Sequence, residues 1–168
     1  MNENKDDLTQ VQQFIRKYEA DIEKLLPYIP YFEERGAKDV AKTYDGEQGH
    51  SSVAFPVYDG TLMTFVKMCQ KTVFMDRNYF YAYTRRRIKS TAQEEAAIKN
   101  ATIKDDDMLN AVLSKYVNEG MRKTGVWQDA VERKLFLNVI KKYKELIKGL
   151  MLRMIRLSGP ALFQHWCL

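Results

Sequence analysis

Residues 8–29 read LTQVQQFIRKYEADIEKLLPYI, and this stretch decides the fold class. Leu8, Val11, Ile15, Tyr18, Ile22, Leu25 and Ile29 recur at alternating steps of three and four. That period puts them on one side of an α-helix, so the segment predicts an amphipathic helix with one buried face. Asn4 is a suitable N-cap, and Asp6 and Asp7 in the first turn favour the positive end of the helix dipole. Pro27 interrupts the pattern, and Pro30 opens a further turn through Arg35. Three heptads also fit a coiled-coil seam, but packing on the chain's own domain is the simpler reading.

The far end carries the same signature. Phe136, Ile140, Tyr143, Ile147, Leu150, Met154 and Leu157 again step by four and three, preceded by Trp127, Val131 and Leu135. Together they predict one long helix from an N-cap at Thr124 to Ser158-Gly159-Pro160. Between the two ends, Leu62, Phe65, Val66, Cys69, Val73 and Phe74 form another helical face. Asp76 or Asn78 can cap the next helix. Thr91 and Glu94 have capping-box spacing for a helix reaching about Asn100. Asp105, Asp106 and Asp107 precede a face of Met108, Leu109, Val112, Leu113 and Tyr116, with Gly120 as a left-handed stop. Residues 36–60 hold Gly46, Gly49, Pro56 and the Asp59-Gly60 pair and predict a long loop. Ser52 to Phe55 is its one strand-like run, with no evident partner.

The expected fold is all-α. It is a single-domain bundle of five or six helices: an N-terminal helical arm (1–35), a loop (36–60), a helical core (61–157) and an apolar tail (158–168). A chain of 168 residues, 45% apolar and 29% charged, is long enough for one proper core. The polar, acidic start MNENKDDLTQ does not read as a signal peptide, and no apolar run approaches a membrane span. Two cysteines make no disulfide framework, so cytoplasm is the expected compartment.

Most catalytic chemistry lacks a residue set. His50 and His165 have no second ligand at metal spacing. Asp105 to Asp107 point in different directions from a helix start and lack the pattern of a calcium loop. Cys69 sits in an apolar pattern with no nearby histidine, and no phosphate-binding glycine loop is present. Glu94, Glu95 and Glu132 read as ordinary helix-surface carboxylates. The chain therefore reads as non-enzymatic, with no cofactor and no metal.

One stretch concentrates unusual chemistry. Tyr79, Phe80, Tyr81 and Tyr83 run into Arg85, Arg86, Arg87 and Lys89. Tyr81, Tyr83 and the four cations are the candidate interaction residues, suited to phosphates and bases or to an acidic protein surface. Tyr79 and Tyr83 share a helix face while Tyr81 points nearly opposite, so some rings must be core. The plainer reading is a buried aromatic turn whose arginines pair with acids such as Asp105 to Asp107. A net charge of +5 permits an acidic partner without requiring one. Lys141, Lys142, Lys144 and Lys148 form a second exposed basic cluster.

FPVYDGTLMTFVKMCQKTVFMDRNYFYAYTRRRI (55–88), IKNATIKDDDMLNAVLSKYVNEGMRKTGVW (98–127) and KELI (144–147) resemble a family of small uncharacterised helical proteins of Gram-positive bacteria. The resemblance runs from about Tyr28 to Ile147 and brings no catalytic residue. It implies a loose association with negative regulation of extracytoplasmic-function sigma factors. The last residues, GLMLRMIRLSGPALFQHWCL, depart from the family's end and contain no acid.

The expected function is a non-enzymatic interaction or regulatory protein acting through protein contacts, with nucleic-acid binding through residues 79–89 as the alternative. The last helix adds a candidate dimer or partner face. Its stripe from Phe136 to Leu157 spans roughly 32 Å at 1.5 Å per residue. A domain of this size is about 26 to 30 Å across. Leu150, Met154 and Leu157 are therefore expected to project past the core and to be covered by a homodimer partner, by the tail or by another protein.

Overall fold

In the computed structural model, which describes residues 3–44 and 54–158, the first helix α1 (Glu3–Leu25) stops two residues short of Pro27. A single 3-10 turn (Leu26–Tyr28) carries the proline, and α2 (Ile29–Glu34) follows with Pro30 in its first turn. The ring removes an amide donor, which the first turn of a helix can spare. Val11, Ile15, Tyr18, Ile22 and Leu25 are all buried. The heptad stripe is thus a packing face, and it lies along the last helix.

The segment expected to be a long loop contains structure. A short helix α3 (Ala37–Val40) leads into strand β1 (Ala41–Tyr44), which pairs antiparallel with β2 (Phe55–Tyr58) in the register Ala41 to Tyr58. Of the strand signal at Ser52 to Phe55, Ser52 and Val53 lie outside the described residues, and the strand itself starts at Phe55, the last residue of that run. Pro56 is tolerated because a two-stranded ribbon leaves one hydrogen-bonding edge of each strand unpaired. The Asp59 amide donates to the Val40 carbonyl at 2.8 Å and closes the base of the hairpin. Asp59 then caps α4 (Gly60–Cys69), accepting from the Thr61 and Leu62 amides at 3.0 and 3.3 Å and from the Tyr31 hydroxyl at 2.8 Å.

Next come α5 (Tyr79–Arg85), α6 (Thr91–Asn100), a 3-10 turn (Ile103–Asp105) and α7 (Asp106–Gly120). The capping box of α6 is Ser90 with Gln93, one residue ahead of the expected Thr91 and Glu94. Glu94, in the first turn, faces inward. Gly120 does not stop α7 in a left-handed conformation; among the described glycines only Gly125 has positive φ, at 88°. Gly120 is required because a Cβ built there would overlap the indole of Trp127.

The long terminal helix expected from Thr124 is two helices, α8 (Val126–Glu132) and α9 (Leu135–Ser158), with Gly125 as the N-cap of α8. The break falls at Arg133 and Lys134, where Lys134 takes φ 55°. A left-handed lysine costs about 1 kcal/mol. Its ammonium offsets that by donating to the carbonyls of Phe32 and Arg35, each at 2.7 Å, and of Glu33 at 3.3 Å, which caps the end of α2. The helices therefore outnumber the five or six expected. The surplus comes from short segments and from this break, while the class remains helical apart from one two-stranded sheet.

The core joins two aromatic groups. Phe14, Tyr18, Phe74 and Tyr143 pack with ring centroids 4.8 to 6.1 Å apart. Tyr28, Phe32, Phe65 and Phe136 form the second group. The polar ends of the first group are satisfied internally. The Tyr18 hydroxyl donates to Asp106 at 2.6 Å, and that of Tyr143 donates to the Asn110 side-chain carbonyl at 2.6 Å. Cys69 is buried and free, and burial pushes its thiol well above the ordinary range, as its apolar setting predicts.

Gly120→Ala gives opposite signs for two effects. Helix propensity alone would stabilise α7 by roughly 1 kcal/mol. Overlap with Trp127 should outweigh it and cost about 1 to 3 kcal/mol net. Urea denaturation monitored by circular dichroism measures the sign, and a stabilised variant would show that the indole does not need the glycine.

Candidate interaction site

The run from Tyr79 to Lys89 is divided by its own helix. α5 lies against α7, so Tyr79, Ala82 and Tyr83 are buried while Phe80 and Tyr81 stand 62% and 71% exposed. Of the two candidate stacking residues, Tyr81 is exposed and Tyr83 is buried. Tyr83 is a core residue whose hydroxyl donates to Glu94 at 2.6 Å.

The arginines separate in the same way. Arg86 donates to Asp105 at 2.6 Å and to Asp107 at 2.5 Å, and Arg85 pairs with Asp107. Asp105 also accepts from the Thr102 amide and hydroxyl, both at 2.8 Å. Burial raises the Asp105 carboxyl, but the Thr102 and Arg86 hydrogen bonds outweigh it and hold the group below the usual carboxylate range. Asp105 and Asp107 thus serve as the counter-charge that fastens the end of α5 to the start of α7, in line with the plainer sequence reading, while Asp106 pairs instead with Lys17 and Tyr18 of α1. Two of the four cations offered for phosphate binding are consumed by this cluster.

Arg87 and Lys89 make no ion pair among the described residues. Arg87 adopts φ 54°, and its amide donates to Thr84 while the Ile88 amide donates to Tyr83. The chain reverses there, and the reversal opens a cleft of about 370 Å³ lined by Phe80, Tyr83, Thr84, Arg87, Ile88, Lys89 and Lys115. The lining is largely apolar with cations at its rim, and the Lys115 ammonium sits 4.6 Å above the Tyr83 ring.

The wall of the cleft rests on Glu94, which the sequence placed on a helix surface. It is 2% exposed. It accepts from the Tyr83 and Tyr116 hydroxyls at 2.6 and 2.8 Å, from Lys115 at 2.7 Å and from Arg133 at 3.0 Å. Burial raises its carboxyl, yet the Lys115, Tyr83 and Tyr116 hydrogen bonds reverse the shift and leave it below the ordinary value. Burial first, and the hydrogen bond to Glu94 second, push the Tyr83 and Tyr116 hydroxyls up. Arg133 further reaches Glu95 at 3.1 Å and Asp129 at 3.2 Å. Glu132, also read as a surface acid, accepts from the Ala37 amide at 2.8 Å and so fixes the start of α3.

The residues expected to project past the core on α9 are largely covered by it. Leu150 is buried, and Met154 is half-buried against the core. The Leu157 side chain lies outside the described ones. The exposed apolar residues of this end are Leu152 and Ile155, on the opposite side of α9. Lys141 and Lys142 of the second basic cluster pair with Glu33 and Glu145 at 2.6 and 3.3 Å. His50 and His165 also lie outside the described residues.

No protein-family model, curated protein or solved structure matches the chain. No helix among the described residues is long and apolar enough to cross a membrane.

Glu94→Gln should destabilise the fold by about 3 kcal/mol at pH 7, because it leaves Lys115 and Arg133 without their buried anion. The pH dependence has a definite sign. The folded carboxyl lies below its unfolded value, so its contribution is complete above the ordinary carboxylate range and is lost as pH falls through the folded value. Denaturant titrations from pH 7 to pH 3 should therefore show a shallower acid decline in the variant than in the parent. Parallel profiles would remove Glu94 as the anchor.

Proposed function

We propose that the protein is a non-enzymatic interaction protein that holds a partner protein against α5 and the adjoining cleft. One observation carries the reading. Phe80, exposed and next in sequence to the exposed Tyr81, lines a cleft whose rim carries Arg87 and Lys89, cations with no ion pair among the described residues. Buried aromatics and arginines dominate binding energy at protein interfaces, and isolated rim charges set orientation and encounter rate. The complementary partner segment presents an apolar side chain to the cleft and carboxylates to the rim.

The family resemblance supplies the partner class. An extracytoplasmic-function sigma factor bound at this surface would be held away from transcription, and the protein would act as its negative effector. Nucleic-acid binding is the weaker reading, because Arg85 and Arg86 are already neutralised by Asp105 and Asp107. A grip on phosphates would first have to strip carboxylates from these arginines.

Calorimetric titration of purified sigma factors from the same genome should find one that binds. Replacing Phe80 and Tyr81 together by Ala should weaken that complex by roughly 30-fold or more, about 2 kcal/mol. Arg87→Gln with Lys89→Gln should mainly reduce the salt dependence of association. Tight, steeply salt-dependent binding to nucleic acid in a mobility-shift assay, lost on replacing Arg85 and Arg86, would reverse the assignment.

A further inference from the structure

The outer face of the last turns of α9 has a pattern that neither the core nor the α5 cleft uses. Lys148, Leu152 and Arg156 stand at four-residue steps, and Ile155 lies three residues beyond Leu152. All four therefore share one side of the helix. Leu152 is 51% exposed and Ile155 39%, and both cations are exposed. No acidic residue occurs after Glu145, and the sequence beyond Ser158 adds Leu162, Phe163 and Trp166. Glu145 is itself paired with Lys142.

We infer that this face, Lys148, Leu152, Ile155 and Arg156, is a docking surface for an anionic lipid bilayer, lying in the plane of the headgroups without spanning it. A ridge of branched aliphatic side chains between basic ones is the arrangement of an interfacial helix. The apolar side chains enter the acyl boundary, and the cations stay among the phosphates. The surface is the convex back of a single helix, which suits a plane of lipid better than a protein groove needing depth. The positive charge, with no acid in the following sequence, selects a negative partner. Cations near an anionic leaflet each add a modest attraction that salt removes.

The test is co-sedimentation of the full chain with vesicles of phosphatidylcholine alone and of phosphatidylcholine with about one third phosphatidylglycerol. Binding should be at least roughly tenfold tighter to the anionic vesicles and should fall away near about 0.5 M salt. Leu152→Glu with Ile155→Glu should abolish it while the circular dichroism spectrum is unchanged. Lys148→Gln with Arg156→Gln, which leaves the apolar residues intact, should remove the preference for anionic lipid. Equal partition to both vesicle types, no sedimentation with either, or insensitivity to both pairs of substitutions would overturn the inference. So would a dimer in light scattering that Leu152→Glu dissociates in a protein that ignores vesicles. Loss of sigma-factor binding in the Phe80 and Tyr81 variant would leave this result untouched, since the two faces share no residue.

Discussion

Burying the Glu94 carboxylate constrains much of the surrounding architecture. An ionised carboxylate taken out of water is stable only if its oxygens are matched by donors and counter-charges. Here the donors are four side chains from three places: Tyr83 on α5, Lys115 and Tyr116 on α7, and Arg133 between α8 and α9. None of these elements can shift without stranding a charge. Arg133 reaches Glu94 from the break between α8 and α9. Lys134, beside it, takes the left-handed conformation and caps α2. The break between α8 and α9 thus sends one side chain to the buried acid on α6 and the next to the end of α2.

The contrast between the two acidic groups shows what sequence can and cannot reveal. Asp105 to Asp107 announce themselves by repetition, and a run of arginines at a helix end needs counter-charge nearby. Their pairing is legible because both halves are conspicuous. Glu94 sits in TAQEEAAIKN, which looks like any solvated helix. Its burial follows from the packing of α6 against α7 and α9, with Lys115, Tyr116 and Arg133 reaching it, and local spacing does not distinguish it from Glu95. The apolar stripes of α1 and α9 are strongly periodic, which is why the long helices and the interruption at Pro27 could be read directly. The α8–α9 break left a weaker trace. The steps of four through Trp127, Val131 and Leu135 end where a new register begins at Phe136. The hairpin left less still, because Ala41-Lys42-Thr43-Tyr44 shows no alternation, and pairing across the intervening chain is non-local.

The basic residues illustrate how folding redistributes apparent function. In the sequence, Arg85 to Lys89 is a uniform positive run. In the structure two of its members are structural cross-links, and the other two line an opening shaped by the positive φ of Arg87. The same holds for the lysines of α9. Lys141 and Lys142 are tied to carboxylates, and the exposed cations beside Leu152 lie further along. A count of charges over a segment overstates the field available to a partner, since each internal pair cancels at short range. What remains is sparse and directional. Sparse charge beside exposed aromatic or aliphatic groups suits recognition of a mixed surface more than the dense phosphates of nucleic acid.

The cleft and the α9 face differ in how firmly the fold supports them. The cleft wall is Tyr83, held by Glu94, and its rim is the turn at Arg87, whose backbone is fixed by two hydrogen bonds to α5 carbonyls. Its shape is therefore set before any partner arrives, and preorganised surfaces retain more of their contact energy as affinity. Among the described residues, the end of α9 beyond Leu150 has no such scaffold on its outer side. Its exposed aliphatic groups cannot define a pocket, and they can only be covered by a surface that adapts to them. Rigid support favours a specific protein partner at α5. Lack of support at the end of α9 favours a deformable one, and a lipid headgroup layer fits that requirement because its molecules rearrange around an inserted side chain without needing shape complementarity in advance.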